Sequence, residues 1–288
     1  MNQYLTSFHF PSGEQESDYL FYQRRTCYSS NYPFKYFPNK GLKDLDFGPI
    51  TIIYGGNGSG KSTVLNIIAE KLNVTRHSVF NGSAYFKPYV SMCSYDSRTL
   101  PGEMQILTSD DVFDYMLNVR YINDGIDFRR EELFDSWLEK RKDGDIRFKS
   151  LDDYDNWKEV YDSKTNTQSQ FVRERLMRNV DMHSNGENAM KYFTDHISEN
   201  ALYLLDEPEN SLSYSLQKEL TKYISDSARH FGCQFIIATH SPILLSISDS
   251  IIYYLDETPV KTKKWTELEN VKLLFDFFEE KRSEFTNK

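Results

Sequence analysis

The chain has 288 residues, with 43 acidic and 34 basic side chains and a formal net charge of −9. This length suits one large α/β domain, or a core domain with an inserted lobe. The negative charge excludes a generally basic surface of the kind that coats DNA, while a local basic groove stays open. Three widely separated cysteines, Cys27, Cys93 and Cys233, favour a reducing compartment over a disulfide framework.

The N-terminus and the hydropathy predict a cytoplasmic protein. Residues 1–10 lack the basic head and apolar stretch of a secretory leader. No stretch of the sequence approaches the length of an apolar membrane span. Any membrane part would therefore belong to another chain.

Four short apolar runs predict buried β-strands, and amphipathic helical patterns follow two of them. The runs are Ile50–Tyr54, Ala201–Leu205, Gln234–Ala238 and Ile251–Leu255. The apolar positions at helical spacing are Val64, Leu65, Ile67, Ile68 and Leu72 after the first run, and Leu216, Leu220, Tyr223, Ile224 and Ala228 after the second. Strands that alternate with amphipathic helices indicate an α/β fold with a largely parallel sheet flanked by helices.

The strands and motifs fall in two segments, which together form the predicted core. These are residues 1–105 and 181–288, and the polar, charge-rich residues 106–180 between them form a predicted inserted helical lobe. No sustained heptad repeat marks the lobe as a long coiled-coil arm. We expect the lobe to dock a partner, with a solvated cover for the sheet as the open alternative.

Three further helices are predicted from apolar spacing. One lies around Leu133–Leu138 and another contains Val172, Leu176 and Val180, both in the lobe. The tail Leu268–Phe285 is expected to form a single closing helix.

The segment Gly55–Ser62 (GGNGSGKS) lies between a predicted strand and a predicted helix, which is the context that a phosphate loop needs. Its glycines let successive backbone N–H groups point at phosphates, and the following helix adds its N-terminal dipole. Lys61 would bridge the β- and γ-phosphates, and the Ser62 hydroxyl would ligate Mg²⁺. The sequence therefore predicts ATP and Mg²⁺ as cofactors. The predicted nucleotide contacts here are Gly55, Asn57, Gly58, Ser59, Gly60, Lys61, Ser62 and Thr63.

Two carboxylates and a histidine follow predicted buried strands. Asp206 and Glu207 end the second apolar run, and His240 follows the third. The carboxyl edge of a parallel sheet is where ligands bind in open α/β folds. We expect Asp206 to hold Mg²⁺, Glu207 to polarise the attacking water, and His240 to reach the γ-phosphate and that water. Lys61, Glu207 and His240 are thus the predicted catalytic residues, and Ser62 and Asp206 the predicted metal ligands.

Two further nucleotide contacts are predicted from weaker patterns. Ser184 and Gly186 precede a predicted helix, whose N-terminus could donate hydrogen bonds to a γ-phosphate presented by a partner chain. Gln105 is the single Gln between Gln23 and Gln168, which makes it the candidate for a glutamine beside the nucleotide. A surface role for Gln105 is equally open.

These motifs together resemble a known family over nearly the whole chain. NGSGKST (Asn57–Thr63), YLLDEPE (Tyr203–Glu209) and FIIATHSPILL (Phe235–Leu245) are similar to the soluble ABC-type ATPases grouped with SMC and break-repair ATPases and with the ATPase half of OLD nucleases. The resemblance implies a P-loop NTPase of the ABC-ATPase type. The signature Ser184–Glu187 (SNGE) departs from the usual Ser-Gly-Gly-Gln, and Gly56 replaces a frequent acidic residue.

The resemblance also implies partners. In ABC-type enzymes the signature loop of one subunit closes over the nucleotide held by another, so one motif set per chain implies an ATP-dependent homodimer. Relatives often act beside a separate effector such as a nuclease, in DNA repair or bacterial anti-phage defence. We therefore expect a hydrolysing ATPase that switches an effector, with nucleic-acid contact left open. Two alternatives remain: a nucleotide-binding subunit of a membrane transporter, and a non-hydrolysing nucleotide-gated scaffold.

Overall fold

The computed structural model describes residues 2–23, 30–142, 154–180 and 184–286, so Cys27 lies outside it. The strands in this part of the chain are β1 (Leu5–His9), β2 (Asp44–Asp46), β3 (Ile50–Tyr54), β4 (Ser94–Ser97), β5 (Glu103–Thr108), β6 (Ala201–Asp206), β7 (Gln234–Ala238), β8 (Ile251–Tyr254) and β9 (Lys261–Thr262). The helices are α1 (Gly13–Tyr22), α2 (Tyr36–Asn39), α3 (Lys61–Leu72), α4 (Phe86–Met92), α5 (Ser109–Lys142), α6 (Tyr154–Thr165), α7 (Gln168–Arg175), α8 (Asn185–His196), α9 (Tyr214–His230), α10 (Pro242–Leu245), α11 (Glu269–Glu280) and α12 (Arg282–Thr286).

The central sheet has the strand order β5-β6-β7-β3-β8-β9, and its neighbouring strands pair in parallel except β8 with β9. Every residue of β3 and β7 is buried, as expected for strands covered on both faces. Helices α3 and α9 pack against this sheet. The predicted α/β fold with a largely parallel sheet flanked by helices is confirmed. Strand β5 was not predicted. Its first three residues include the polar Glu103 and Gln105, so the sequence has no continuous apolar run there.

A second, antiparallel sheet has the order β2-β1-β4. It is joined to the central sheet by the side chain of Gln234, whose Oε1 accepts from the N–H groups of Tyr4 (2.8 Å) and Leu5 (2.9 Å). The Gln234 Nε2 donates to the carbonyls of Leu5 (2.8 Å) and Gly48 (3.0 Å). One fully buried side chain therefore satisfies four backbone groups between the two sheets.

The chain divides into two compact units, Met1–Phe113 with Asn185–Lys288, and Asp114–Ser184. The predicted lobe began at residue 106, but Ile106 and Leu107 are buried in β5 and belong to the first unit. In the second unit, Leu133, Phe171 and Val172 form a small apolar cluster.

Helix boundaries differ from the sequence patterns in two places. The predicted helix containing Val172 and Val180 is wrong in its second half, because α7 ends at Arg175. The predicted single tail helix is also wrong, because α11 ends at Glu280 and α12 begins at Arg282. Within the described residues, no helix is both long and apolar enough to cross a membrane.

Candidate functional site

The phosphate loop connects β3 to α3 at the carboxyl edge of the central sheet. Gly58 and Gly60 have φ angles of 76° and 95°, a left-handed conformation that side chains disfavour. Gly60 is the residue that immediately precedes α3, so the loop ends at the N-terminus of a 12-residue helix. A Cβ atom at Gly55 would lie 2.6 Å from Ser59 Oγ. The backbone therefore has the glycine-dependent turn and the helix end that bind phosphate groups.

Lys61 points into the loop and towards two residues that follow other strands. Its side chain is only 4% exposed, and its Nζ donates to the carbonyls of Gly55 (3.2 Å) and Gly56 (3.4 Å). Nζ also lies 2.5 Å from His240 Nε2 and 3.6 Å from Glu207 Oε1. The three predicted catalytic side chains thus meet at one point, although they are far apart in sequence.

Ser62 and Asp206 form an oxygen pair beside this point. The Ser62 hydroxyl donates to Asp206 Oδ1 at 3.0 Å. Burial raises the pKa of Asp206 to about 6, against the opposing effects of the Ser62 hydrogen bond and the Lys61 charge. Both residues line a cavity of about 370 Å³ together with Glu207. A hydroxyl and a carboxylate are the hard oxygen ligands that Mg²⁺ takes from a protein when phosphates and water complete its shell, so the residues fit this ion.

Metal binding by protein groups alone is not indicated. Among the residues that the structure describes, no group of three or more His, Cys, Asp or Glu side chains is placed to hold a metal ion. A cation at Ser62 and Asp206 would therefore depend on ligands from a bound nucleotide and from water, which is typical of phosphate-linked Mg²⁺ sites.

Glu207 is held in an unusual conformation at the end of β6. Its φ angle is 49°, and its N–H donates to the carbonyl of Ala238 at 2.9 Å. Burial acts to raise the pKa of Glu207, but the hydrogen bond from Asn210 and the nearby Lys61 and His240 outweigh it and lower the pKa below its usual value. Asn210 Nδ2 donates to Glu207 Oε2 at 3.0 Å, which leaves Oε1 directed at His240. Glu207 is thus an ionised, oriented carboxylate, as a general base requires.

His240 has two competing partners on one ring nitrogen. Its Nε2 lies 2.5 Å from Lys61 Nζ and 3.2 Å from Glu207 Oε1. A single ring nitrogen cannot accept from an ammonium and donate to a carboxylate at the same time. The position of the proton on His240 therefore decides which partner it engages.

Three N-terminal side chains contact the phosphate loop and were not among the predicted site residues. Tyr36 Oη donates to the carbonyl of Gly58 at 2.6 Å, and Lys40 Nζ donates to the carbonyl of Ser59 at 3.0 Å. The Tyr32 hydroxyl lies 2.6 Å from Thr63 Oγ1. The dense aromatics of residues 32–37 were the one sequence signal for this contact.

Arg76 is a further residue that sequence reasoning missed. It lines the same cavity as Asp206, donates to Asn66 Oδ1 at 2.5 Å and stacks its guanidinium 4.2 Å from the centre of the Phe80 ring. Burial lowers the pKa of Arg76, against the opposing carboxylates around it. No motif marks Arg76 in the sequence, because it reaches the cavity from the chain after α3.

The structure places the remaining predicted nucleotide contacts on β5, at the start of α8 and in the phosphate loop. Gln105 is buried within β5, opposite Tyr203, whereas Thr108 at the end of β5 pairs with Asp206. Gly186 is in the first turn of α8, and a Cβ there would lie 2.6 Å from Leu216 Cδ1. Ser184 directly precedes α8, and Asn57 is exposed in the phosphate loop. Their nucleotide contacts stay predictions.

A family model described as "ABC transporter" matches residues 43–210, more than half of the chain. The chain belongs to the ABC transporter family. A second model, described as "AAA domain, putative AbiEii toxin, Type IV TA system", matches residues 184–246. The first match contains the phosphate loop and the two carboxylates, and the second contains His240. The two matches together therefore cover Lys61, Asp206, Glu207 and His240, although His240 lies outside the "ABC transporter" match.

Solved structures align with this ABC-type domain only loosely. The Smc head domain with an extended coiled coil, derived from Pyrococcus furiosus and bound to the C-terminal domain of ScpA, is 14% identical over 95% of this chain and 99% of its own, with a TM-score of 0.40. The SMC head domain from Thermotoga maritima is 14% identical over 92% and 99%, with a TM-score of 0.38. The ATP-binding cassette MJ0796, a post-hydrolysis dimer bound to ADP and Pi, is 14% identical over 77% and 88%, with a TM-score of 0.37. No curated protein is significantly similar to the chain.

Proposed function

We propose that this protein is a cytoplasmic ATPase that dimerises around two ATP–Mg²⁺ and uses hydrolysis to switch a separate effector. The observation that supports hydrolysis is the convergence of Lys61, Glu207 and His240 within 3.6 Å of one another. A binding module needs the lysine and the phosphate loop but has no use for an oriented, ionised carboxylate beside a histidine.

Each residue has a role that follows from its position. Lys61 and the loop N–H groups bind the phosphates, and Ser62 and Asp206 hold the cation. When bound, Mg²⁺ supplies positive charge that stabilises the negative charge of the transferring phosphoryl group. Glu207 orients the attacking water and accepts its proton. His240, beside Lys61 and Glu207, would contact the γ-phosphate and the attacking water.

Turnover of ATP by the purified protein tests this proposal. We expect Mg²⁺-dependent hydrolysis that falls by about 100-fold or more in Lys61→Ala and in Glu207→Gln, because one removes phosphate binding and the other the base. The control is Lys87→Ala, which changes an exposed lysine on α4. Wild-type turnover in both site variants would contradict the proposal. Tight ATP binding without turnover, even with the effector present, would favour the nucleotide-gated scaffold instead.

The proposed dimer completes the site with the signature loop of a second copy. It is supported by the sequence, which has one phosphate loop (Gly55–Ser62) and one signature loop (Ser184–Glu187) per chain. Native mass spectrometry of Glu207→Gln with ATP and Mg²⁺ should detect a nucleotide-loaded dimer, because the variant slows attack on the γ-phosphate. A nucleotide-free monomer would exclude Ser184 and Gly186 as contacts in trans.

The effector is proposed to be a nuclease or another DNA-linked protein, with anti-phage defence or DNA repair as the setting. Support comes from the motifs DEPE (Asp206–Glu209) and THSP (Thr239–Pro242) and from the match to the AAA-domain model. We propose that the unit Asp114–Ser184 docks this effector. Glu207→Gln purified from its own host should retain the effector, and a variant lacking α6 and α7 should lose it. Equal recovery of the effector by both variants would contradict this role of the unit Asp114–Ser184.

A second candidate is the nucleotide-binding subunit of a membrane transporter. The match of residues 43–210 to the "ABC transporter" model favours it. Copurification of an integral membrane protein with the Glu207→Gln dimer would support this candidate and contradict a nuclease effector. The absence of membrane protein from a preparation made in mild detergent would exclude it.

A further inference from the structure

Glu209 links the loop after β6 to the loop that carries His240. It lies two residues beyond Glu207, and only 9% of it is exposed. Its Oε1 accepts hydrogen bonds from Thr239 Oγ1 (2.7 Å), from the N–H of His240 (2.6 Å) and from the N–H of Ser241 (3.1 Å). Three donors from consecutive residues therefore converge on one buried oxygen.

The His240 loop is also held on its far side. Ser241 Oγ donates to Gln217 Oε1 on α9 at 2.7 Å. It also accepts from the N–H of Ile243, the second residue of α10, at 3.1 Å. Gln217 Nε2 in turn donates to the carbonyl of Leu212 at 3.0 Å. Glu209 and Gln217 thus fix the loop between β7 and α10 from two directions, and both belong to the chain that follows β6.

Burial of the Glu209 side chain in this place also costs free energy. Glu209 Oε2 is buried and has no hydrogen-bond partner among the described residues. Burying a carboxylate oxygen without a partner is unfavourable, so this glutamate is poorly explained as a simple stabiliser of the fold. The three hydrogen bonds at Oε1 specify where the His240 backbone lies, and through it how far the imidazole is from Lys61 and Glu207.

We propose that Glu209 is a positioning residue for ATP hydrolysis, acting through His240. It holds the His240 loop so that Nε2 stays within reach of both Lys61 and Glu207. This inference rests on the proposed ATPase function and adds a residue that neither touches phosphate nor ligates the cation. Because Glu209 follows Glu207 in the same loop, any movement of that loop also moves His240.

Steady-state kinetics of four variants test this role: Glu209→Ala, Glu209→Gln, His240→Ala and the double variant Glu209→Ala/His240→Ala. We expect Glu209→Ala to lower kcat by about 100-fold, the cost of misplacing a catalytic group by roughly 1 Å, with little change in KM for ATP. In the His240→Ala background the second substitution should change kcat no further. Glu209→Gln keeps an oxygen acceptor for the three donors and should recover most of the turnover.

The matched control is Gln234→Ala, which removes another buried, multiply bonded side chain, at the end of β7 away from the His240 loop. It should lower the melting temperature and keep kcat. Equal losses of kcat in Gln234→Ala and Glu209→Ala would overturn the proposal, because general destabilisation would explain both. Wild-type kcat in Glu209→Ala, or an independent loss that adds to that of His240→Ala, would overturn it as well.

A further variant tests the same role if Glu209→Ala does not fold. Thr239→Val removes one of the three donors and keeps the side-chain shape. It should lower kcat in the wild-type background and leave kcat unchanged in the His240→Ala background, and an unchanged kcat in both would overturn the proposal. If the wild type binds ATP without turnover, the proposed function is wrong and this inference with it. If the wild type and Glu209→Ala are both active, only this inference is wrong.

Discussion

At the scale of residues, the site keeps a side chain in a backbone conformation that most side chains avoid. Glu207 has a φ of 49°, and the hydrogen bond from its N–H to the Ala238 carbonyl holds it there. Such strain persists only where the surroundings impose it, and it is concentrated at functional sites. Here the turn brings the carboxylate back over the sheet edge, where it lies 3.2 Å from His240.

The glycines of the phosphate loop lead to a prediction about Gly60. Alanine at Gly60 or at Gly58 should cost about 1–2 kcal/mol of stability, because both have left-handed φ angles. At Gly60 the new Cβ would also lie 2.7 Å from Tyr36 Cε1, whereas at Gly58 it would meet open space. Gly60→Ala should therefore displace the Tyr36 ring and weaken ATP binding much more than Gly58→Ala, as measured by calorimetry.

Gly102→Ala is the control for this comparison. Its φ is outside the left-handed region, and an added Cβ would meet nothing within 4 Å. The stability and ATP affinity of Gly102→Ala should equal those of the wild type. Equal ATP affinities for Gly60→Ala and Gly58→Ala would show that the Tyr36 contact has no effect on the nucleotide.

At the scale of elements, one histidine on the central strand of the antiparallel sheet β2-β1-β4 lies between carboxylates on its two edge strands. His9 Nδ1 lies 2.6 Å from Asp44 Oδ1 on β2, and His9 Nε2 lies 3.1 Å from Asp96 Oδ2 on β4. The Ser7 hydroxyl is 3.1 Å from the same Nε2. The central strand of the sheet therefore holds both edge strands through a charge that depends on pH.

The hydrogen bonds with Asp44 and Asp96 raise the pKa of His9 above its ordinary value. A group with a raised pKa in the folded state stabilises the protein below its unfolded pKa, about 6.5, and loses this contribution as the pH rises through the folded pKa. The free energy of unfolding of the wild type should therefore exceed that of His9→Gln at low pH and approach it as the solution becomes alkaline. Urea unfolding of both proteins between about pH 6 and pH 9 measures this difference. A difference that is constant across the range would show that the imidazole stays in one protonation state.

At the scale of the whole molecule, the predicted site residues lie on several separate elements. Lys61, Asp206, Glu207 and His240 lie at one sheet edge, while Gly186 packs at the start of α8 against Leu216 of α9. In the proposed homodimer, two-fold symmetry would present the signature loop of each copy to the phosphate loop of the other.

Mixing two inactive variants tests the composite site. Lys61→Ala removes the phosphate contact, and Ser184→Arg should block the signature loop, so each dimer alone is expected to be inactive. A mixed dimer has one site with both defects and one site with neither, and it should regain part of the wild-type ATP turnover. An equal mixture that stays as inactive as its components would contradict a site shared between copies. The control is a mixture of Lys61→Ala with Glu207→Gln. Both residues act on the nucleotide held by their own chain, so each site of this mixed dimer keeps one defect and turnover should not recover.

The sequence by itself determined the chemistry that is local along the chain. The buried strands Ile50–Tyr54 and Gln234–Ala238 were predictable because continuous apolar runs have few alternatives to a covered sheet. The phosphate loop was predictable because its glycines and lysine lie at fixed spacing between a strand and a helix. The strand ends before Glu207 and His240 placed both residues at the same sheet edge.

Only the tertiary structure decided which side chains meet. The contact of Lys61 with His240 depends on the pairing of β3 with β7, and that of Glu209 with Thr239 depends on the pairing of β6 with β7. Strand β4 has the polar sequence SYDS, so its place in a sheet comes from pairing with β1 and not from any apolar pattern of its own. Strand pairing and burial are long-range properties, because a polar strand or a buried glutamate becomes favourable only once its distant partners are in place.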